Sequence, residues 1–383
     1  MSNASSSSHR YPFYTPRFWH GMPPRVWWGL LREGGFRVHP SRWPMMLAIS
    51  LATPVNAALG LVQRILFGRR LRDAELHGPP VFIVGHWRSG TTLLHELLVL
   101  DERFGSPSTF QSFAPHHFLV SEWFFHRFAA WLLPGRRPMD NMATGWDRPQ
   151  EDEFALMNMG ARSPYRRIAF PENGFGDLEY LDFEGVDQAD QQAWLTMLSE
   201  FLRGVSYASG RRLVVKSPTH TGRIGLLAKA FPDAKFIHLT RDPLSLFPST
   251  VRLWKSLGEG QSLQKSEQGD LDEYVITCLR RMYAAFERER QDIGKHRLID
   301  VRYEDLVADP LATVAKIYHD LQLADFDPLE APLREWVERE HGQYQVNRHE
   351  IDPELSKKLR AEWSSYFERY GYASPQPARV ATT

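Results

Sequence analysis

The stretch from residue 81 to residue 98, VFIVGHWRSGTTLLHELL, constrains the fold more than any other part of the chain. Its first four residues are β-branched or aromatic and predict a buried strand, whereas leucines at helical spacing in its second half predict a helix. The glycine-bounded loop between them, residues 85–90, would direct backbone N–H groups and the positive end of the helix dipole at one point. Further donors on this loop come from Arg88, Ser89, Thr91 and Thr92. The sequence therefore predicts a cradle for a phosphate-like anion.

The loop differs from the P-loop of nucleotide hydrolases, which reads G-x-x-x-x-G-K-[ST]. Gly85 and Gly90 have the right separation, but Thr91 stands where the lysine would be. We therefore expect a phosphate site without the metal-triphosphate apparatus. The alternative is a plain strand–turn–helix whose glycines serve packing alone.

The composition limits which binding partners and which cellular compartment are expected for the chain. The chain has 383 residues, with 46 basic and 46 acidic side chains, so its charge balance gives no indication of nucleic-acid binding. Cys278 is the only cysteine, which excludes an internal disulfide framework and fits a reducing, cytoplasmic compartment. Its apolar neighbours favour a buried structural thiol over a nucleophile.

The N-terminal region is unusually apolar. Residues 43–63 carry no charge and have the length of a membrane span, but Pro54 and Asn56 are expected to interrupt the middle. Upstream, tryptophans alternate with arginines, which is typical of interfacial helices. Two interpretations of residues 11–70 stay open: helices that pack on the rest of the protein, or helices that lie on the anionic cytoplasmic face of a membrane.

These patterns predict three regions. Residues 1–75 would form a disordered start and a helical extension, residues 76–373 the main domain, and residues 374–383 a disordered tail.

Further strand–loop–helix units predict the architecture of the main domain. Short apolar runs at 212–215, 234–240 and 298–301 alternate with helical patterns, a further strand is expected at 104–110, and a charged C-terminal helix is expected at about 353–370. This alternation predicts an α/β, P-loop-like three-layer fold with a mostly parallel central sheet and helices on both faces. Because ligands bind beyond the carboxyl ends of parallel strands, one crevice should hold the three cations that follow these strands. They are Arg88, Lys216 and Arg241.

Two signatures resemble those of sulfotransferases that use 3′-phosphoadenosine 5′-phosphosulfate (PAPS), most closely the broad bacterial group. GHWRSGTT resembles the family's 5′-phosphosulfate loop, and in LTRDPLSLFPST Arg241 precedes Ser249 by eight residues, the spacing with which the family holds the 3′-phosphate. RYEDLVADP, with Tyr303, and VVKSP, with Lys216, are similar to two further family segments. The resemblance spans about residues 80–372.

The resemblance implies that the chain moves a sulfuryl group from PAPS to a hydroxyl or amine, without a metal, and leaves adenosine 3′,5′-bisphosphate. It assigns the 5′ end of the donor to Arg88, Ser89, Gly90, Thr91 and Thr92. It assigns the 3′-phosphate to Arg241 and Ser249 and the 3′-phosphoadenosine end to Tyr303, while Lys216 and Arg88 would offset charge on the leaving phosphate. Asn347 and Arg348 resemble a segment that closes over the donor, although a surface loop explains them equally well.

The residue that removes the acceptor's proton is left open among several candidates. Glu151, Asp152 and Glu153 follow a polar loop, where Pro149 would begin a helix and Asp147 would cap it. Adjacent carboxylates at such a place often only compensate the helix dipole. We rank Glu151 or Glu153 above His220, which follows Lys216 by four residues. The remaining candidates are His116 and His117.

The acceptor is not specified by the sequence. The aromatic stretch 110–131 and the N-terminal region favour an apolar or lipid-linked acceptor, while a carbohydrate or small phenol stays open. Two rival functions are a P-loop kinase or nucleotide hydrolase, and a non-catalytic membrane-associated module that binds a nucleotide.

Overall fold

The core of the molecule is a five-stranded, wholly parallel sheet. A computed structural model describes residues 15–133, 144–265, 269–340 and 351–373. The strands are β1 (Val81–Val84), β2 (Phe104–Gly105), β3 (Arg212–Lys216), β4 (Lys235–Thr240) and β5 (Leu298–Arg302). Their order is β2-β3-β1-β4-β5, and every neighbouring pair is parallel. Central β1 pairs Val81 with Val214 and with Lys235, so the strands on either side end at the same edge.

Helices cover both faces of this sheet, which confirms the predicted fold class. They are α1 (Pro24–Glu33), α2 (Trp43–Asp73), α3 (Thr91–Leu98), α4 (Thr109–Phe113), α5 (Phe118–Phe128), α6 (Asp152–Met159), α7 (Gln188–Ser209), α8 (Ile224–Ala230), α9 (Pro243–Gln261), α10 (Leu271–Glu289), α11 (Tyr303–Ala308), α12 (Pro310–Leu321), α13 (Asp327–Glu340), α14 (Pro353–Glu362) and α15 (Ser364–Arg369). Side chains of β1 alternate between the two layers: Phe82 and Val84 join the larger core, whereas Val81 and Ile83 join the smaller core beneath α3, α12 and α13.

Three element boundaries differ from the prediction. β2 ends at Gly105 because Ser108 is the N-cap of α4, where its hydroxyl accepts the Gln111 N–H in a capping box. α6 begins at Asp152 rather than Pro149, since Pro149 pairs with Ser108 in an isolated bridge. The helix expected at 353–370 is two helices separated at Trp363.

The described part of the N-terminal region belongs to the main core. Trp19, Trp27 and Leu31 are fully buried in that core, so the predicted boundary near residue 75 does not separate two cores. α2 runs without a break through Pro54, contrary to prediction. Proline removes the N–H that would bond to the Ser50 carbonyl, and the Thr53 hydroxyl donates to that carbonyl instead, at 3.2 Å. Residues 1–14, which include the start that was predicted to be disordered, and residues 374–383, the predicted disordered tail, lie outside the described residues.

Candidate active site

The candidate site lies at the carboxyl ends of four neighbouring strands. Gly85 follows β1, Lys216 ends β3, Arg241 follows β4 and Tyr303 follows β5. Because these strands are adjacent in the order β3-β1-β4-β5, the polar residues at their ends lie along one edge of the sheet.

The loop after β1 has a backbone that favours glycine at two positions. Gly90 has φ of 99°, and a Cβ there would lie 2.4 Å from the Tyr303 ring. Gly85 has φ of 142°, and its Cβ would lie 2.5 Å from the Leu239 carbonyl oxygen. Arg88 also adopts a left-handed conformation, with φ of 68°, which is uncommon for a residue with a side chain. The loop is therefore held tightly against β4 and Tyr303 at the start of α3.

Not every donor of the loop faces outward. The Gly85 N–H donates to the Thr221 hydroxyl at 2.7 Å, and the Ser89 N–H donates to the His86 carbonyl at 3.1 Å. The first N–H groups of α3, from Thr91 onward, have no carbonyl four residues earlier within the helix. The Ser89 hydroxyl oxygen is buried and has no hydrogen-bond partner within the described residues. The groups of this segment that remain available to an anion are thus the helix start and the side chains beside it.

The residues predicted to hold the two ends of the donor form one cluster. Arg88 Nε donates to Ser249 Oγ at 3.0 Å, and Arg241 Nη1 donates to the Arg88 carbonyl at 2.8 Å. The Arg241 guanidinium stacks over the Tyr303 ring, 4.4 Å from its centroid. The ring in turn packs on Gly90. Two arginines, a serine and the α3 start therefore converge as a strongly cationic surface.

Beside this cluster, Glu151 joins the β3 end to the loop after β1. Its Oε1 accepts from Lys216 Nζ at 2.8 Å, and its Oε2 accepts from the Tyr165 hydroxyl at 2.5 Å. The Tyr165 oxygen accepts from Trp87 Nε1 at 2.6 Å. Burial, and then the Glu151 charge, raise the pKa of Tyr165 well above its usual range, so Tyr165 stays a donor. The Glu151 side chain is 13% exposed, whereas that of Lys216 is 2% exposed.

The two carboxylates that follow Glu151 point into the protein. Glu153 is fully buried and accepts two hydrogen bonds from Arg223, at 2.7 and 3.1 Å, and one from Thr219. Although burial opposes ionisation, the Arg223 guanidinium holds the pKa of Glu153 below its usual value of 4.5. Asp152 pairs with His220 Nε2 at 2.7 Å, and both side chains are fully buried.

Two of the ranked bases therefore do not fit their expected role. Glu153 and His220 are inaccessible to an acceptor because each is enclosed in its own buried pair. Among the three adjacent carboxylates, the geometry leaves Glu151 as the one partly open to solvent.

The lower-ranked histidines each lie within hydrogen-bond distance of another helix, His117 of α2 and His116 of α6. His117 Nε2 lies 3.2 Å from Asn56 Oδ1, and burial lowers the pKa of His117 to about 4. His116 Nε2 lies 3.2 Å from the Asn158 carbonyl. Asn347 and Arg348 lie outside the described residues.

Comparison with known proteins identifies the family. A model of the sulfotransferase family matches residues 79–328, a span that contains the loop, Lys216, the Arg241–Ser249 segment and Tyr303. The chain belongs to the sulfotransferase family. The resemblance found in the motifs is thereby confirmed.

Curated relatives match this sulfotransferase over nearly its whole length. It is 38% identical over 379 residues to the omega-hydroxy-beta-dihydromenaquinone-9 sulfotransferase Stf3 of Mycobacterium bovis, an alignment that covers 98% of this chain and 97% of the relative. The Stf3 of Mycobacterium tuberculosis matches with the same identity and coverage.

Solved structures share the fold of the sulfotransferase at low sequence identity. STF9 from Mycobacterium avium aligns with a TM-score of 0.64 at 19% identity, covering 91% of this chain and 96% of STF9. STF1 from Mycobacterium tuberculosis aligns with a TM-score of 0.62 at 18% identity, covering 92% and 94% of the two chains. These likenesses support the architecture described above.

Sequence reasoning missed Tyr165 and Trp87, the two residues of this sulfotransferase that connect Glu151 to the loop. Trp87 lies inside the loop motif, but nothing in its spacing indicates a hydrogen bond to a residue 78 positions later. Tyr165 lies in a short 3-10 helix, Pro164–Ile168, which has no motif of its own. A tyrosine that follows a glutamate by 14 residues is too common a pattern to indicate that Tyr165 bonds to Glu151.

Proposed function

We propose that this sulfotransferase transfers a sulfuryl group from PAPS to a hydroxyl of an apolar, lipid-linked acceptor in the cytoplasm. The observation that carries the proposal is the convergence of Arg88, Arg241 and Ser249 beside the Lys216–Glu151 pair, at one edge of the sheet. A cationic cluster next to a partly exposed carboxylate suits an anionic donor and an acceptor that must lose a proton.

The hydrogen-bond donors at the site fit a nucleotide that carries phosphate groups at its 3′ and 5′ positions. The start of α3, with Gly90, Thr91 and Thr92, and the Arg88 guanidinium suit the 5′-phosphosulfate. Arg241 and Ser249 suit the 3′-phosphate, since an arginine supplies a rigid fork of donors. Tyr303, fixed between Gly90 and Arg241, offers a ring surface for the 3′-phosphoadenosine end.

Glu151 is the proposed general base. The acceptor hydroxyl gives its proton to the Glu151 carboxylate while its oxygen bonds to sulfur. The bond between sulfur and the 5′-phosphate oxygen breaks, and its electron pair leaves with adenosine 3′,5′-bisphosphate. Lys216 and Arg88 offset the charge that develops on that oxygen. Tyr165, held by Trp87, fixes the orientation of the Glu151 carboxylate.

The activity named for the curated relatives supports an apolar acceptor. The related Stf3 proteins are named for a menaquinone derivative with a terminal hydroxyl. We therefore infer a hydroxyl on a long apolar chain as the acceptor group, and we keep carbohydrates and small phenols as comparison substrates.

Transfer of labelled sulfate tests the proposal. PAPS labelled with ³⁵S is incubated with the purified protein and one of three acceptors: an ω-hydroxylated prenyl quinone, a simple phenol or a carbohydrate. We expect label on the prenyl quinone and undiminished transfer in excess EDTA. Transfer only to carbohydrate would refute the acceptor class, and Mg²⁺-dependent transfer of phosphate from ATP would refute the donor.

A further inference from the structure

Helix α2 turns its polar side toward the protein and its apolar side outward, the reverse of an ordinary surface helix. Its inward side is largely polar: Thr53, Asn56 and Gln63 are buried with Ile49. The Asn56 amide donates to the Met22 carbonyl at 3.1 Å, and Gln63 Oε1 accepts the Leu119 N–H at 2.8 Å. Hydrogen bonds thus hold α2 to the protein.

The outward side of α2 is an apolar stripe. It consists of Leu47, Leu51, Val55, Val62, Ile65 and Leu66, which recur at helical spacing, and Ile65 is 72% exposed. Residues 43–63 contain no charged side chain, so the uncharged part of the helix is about 30 Å long. Surface helices of soluble proteins place polar residues outward, and this one places them inward.

Helix α5, which packs against α2, extends the exposed apolar surface. Trp123, Phe124, Phe128 and Trp131 project from α5 and the turn after it, with Trp123 74% exposed. Within the described ranges, every large apolar side chain that is exposed lies in residues 28–66 or 123–131. We call the α2 stripe together with these four aromatic residues the apolar face.

We propose that the apolar face lies on the surface of an anionic lipid bilayer. Among the described residues, α2 is the helix long and apolar enough to cross a membrane. Its polar inward side is hydrogen-bonded to the protein, however, so we place it flat in the interface. Exposed tryptophans and phenylalanines suit that depth.

The charges around the apolar face favour anionic lipid over a second copy of the chain. Within residues 42–73, Arg64, Arg69, Arg70 and Arg72 lie toward the carboxyl end of α2 and Arg42 lies directly before the helix, against one acidic residue, Asp73. The charged residues of α5 are Glu122 and Arg127, one of each sign. Basic residues beside an interfacial helix attract anionic headgroups. A parallel pairing of two copies would bring the arginine-rich ends of α2 together, and an antiparallel pairing would place each of these ends beside the Arg42 end of the other helix, so both arrangements set positive charge against positive charge.

A bilayer location would give the enzyme its acceptor directly. This consequence rests on the proposed function, because it requires a lipid-linked acceptor. Bilayer binding itself does not, so the two proposals are tested separately.

Co-sedimentation with vesicles tests the inference on the full chain. The variant L51D/I65D places charges in the apolar face. A312D/A331D adds the same charges at exposed positions of α12 and α13, on the opposite side of the sheet. Vesicles contain equal parts of phosphatidylglycerol and phosphatidylcholine, or phosphatidylcholine alone. Calorimetry with adenosine 3′,5′-bisphosphate on each protein reports the donor site independently.

We expect the wild type and A312D/A331D to sediment with the anionic vesicles, and L51D/I65D to bind them at least tenfold more weakly with unchanged nucleotide affinity. Wild-type protein that stays in the supernatant would overturn the inference, as would equal sedimentation of the two variants. If the wild type is a dimer that does not bind vesicles, and L51D/I65D is a monomer, the apolar face is a dimer contact instead. If the wild type does not bind adenosine 3′,5′-bisphosphate, the proposed function is refuted, whereas the inference of bilayer binding is unaffected.

Discussion

Glu151 and Glu153 stand two positions apart, yet their substitutions by glutamine should affect different properties. Glu153→Gln should lower stability, whereas Glu151→Gln should lower turnover. Glu153→Gln leaves the buried Arg223 guanidinium without its carboxylate, and breaking such a pair costs about 3–5 kcal/mol. Unfolding entropy of about 2.1 cal/mol/K per residue gives about 0.8 kcal/mol/K for a chain of 383 residues, so Tm should fall by about 4–6 °C. The turnover of each folded molecule should change little.

Glu151→Gln keeps an oxygen for the Tyr165 hydroxyl but removes the group that takes the acceptor's proton. Loss of a general base lowers kcat by about 10²–10⁴-fold. Because the Glu151 side chain is 13% exposed, whereas that of Glu153 is fully buried, we expect a smaller fall in Tm than for Glu153→Gln.

The two variants are compared by calorimetric Tm and by kcat with labelled PAPS. The stabilisation from Glu153 is present above its unfolded pKa of 4.5 and is lost as pH falls through its lower folded value. The Tm difference between wild type and Glu153→Gln should therefore shrink below about pH 4.5. A Glu151→Gln enzyme that keeps kcat within threefold would refute the assignment of the base, especially if Glu153→Gln had the larger kinetic defect.

Three further outcomes follow from single side chains. Lys216→Ala should lower kcat by at least about 100-fold while calorimetry shows retained nucleotide binding; normal turnover would favour a non-catalytic nucleotide-binding module. Tyr165→Phe should lower kcat by about tenfold with unchanged affinity for adenosine 3′,5′-bisphosphate, because Glu151 loses one orienting hydrogen bond; a defect confined to stability would make Tyr165 structural. Burial raises the pKa of the Cys278 thiol to about 12, so a thiol reagent at pH 8 should label it only after unfolding, and rapid labelling of native protein would contradict the packing of α10.

The sheet and the loop were predictable because their signals are local. Four β-branched or aromatic runs end at Gly85, Lys216, Arg241 and Tyr303, and alternation with helical patterns leaves few topologies other than a parallel sheet. The arrangement of site residues at strand ends then follows from the topology.

The orientation of the carboxylates was not predictable because it depends on where α6 begins. Pro149 favours a helix start, but a bridge to Ser108 uses that residue and moves the start to Asp152. Each residue turns a helix by about 100°, so the phase decides which glutamate faces the crevice. α2 illustrates the same dependence on distant contacts, because Asn56 looks like an interruption of the helix until its partner, the Met22 carbonyl, is known.

The central claim is that this crevice binds an adenosine with phosphate groups at both ends, and calorimetry of two nucleotides tests it most directly. Arg241 and Ser249 would each add a hydrogen bond to the 3′-phosphate, about 1.5–3 kcal/mol apiece for a charged group. Adenosine 3′,5′-bisphosphate should therefore bind the wild type at least about 100-fold more tightly than adenosine 5′-monophosphate, and Arg241→Ala should lower that preference by about 10- to 100-fold, leaving the share that Ser249 contributes. Equal affinity of the wild type for the two nucleotides, or no affinity for either, would contradict the account.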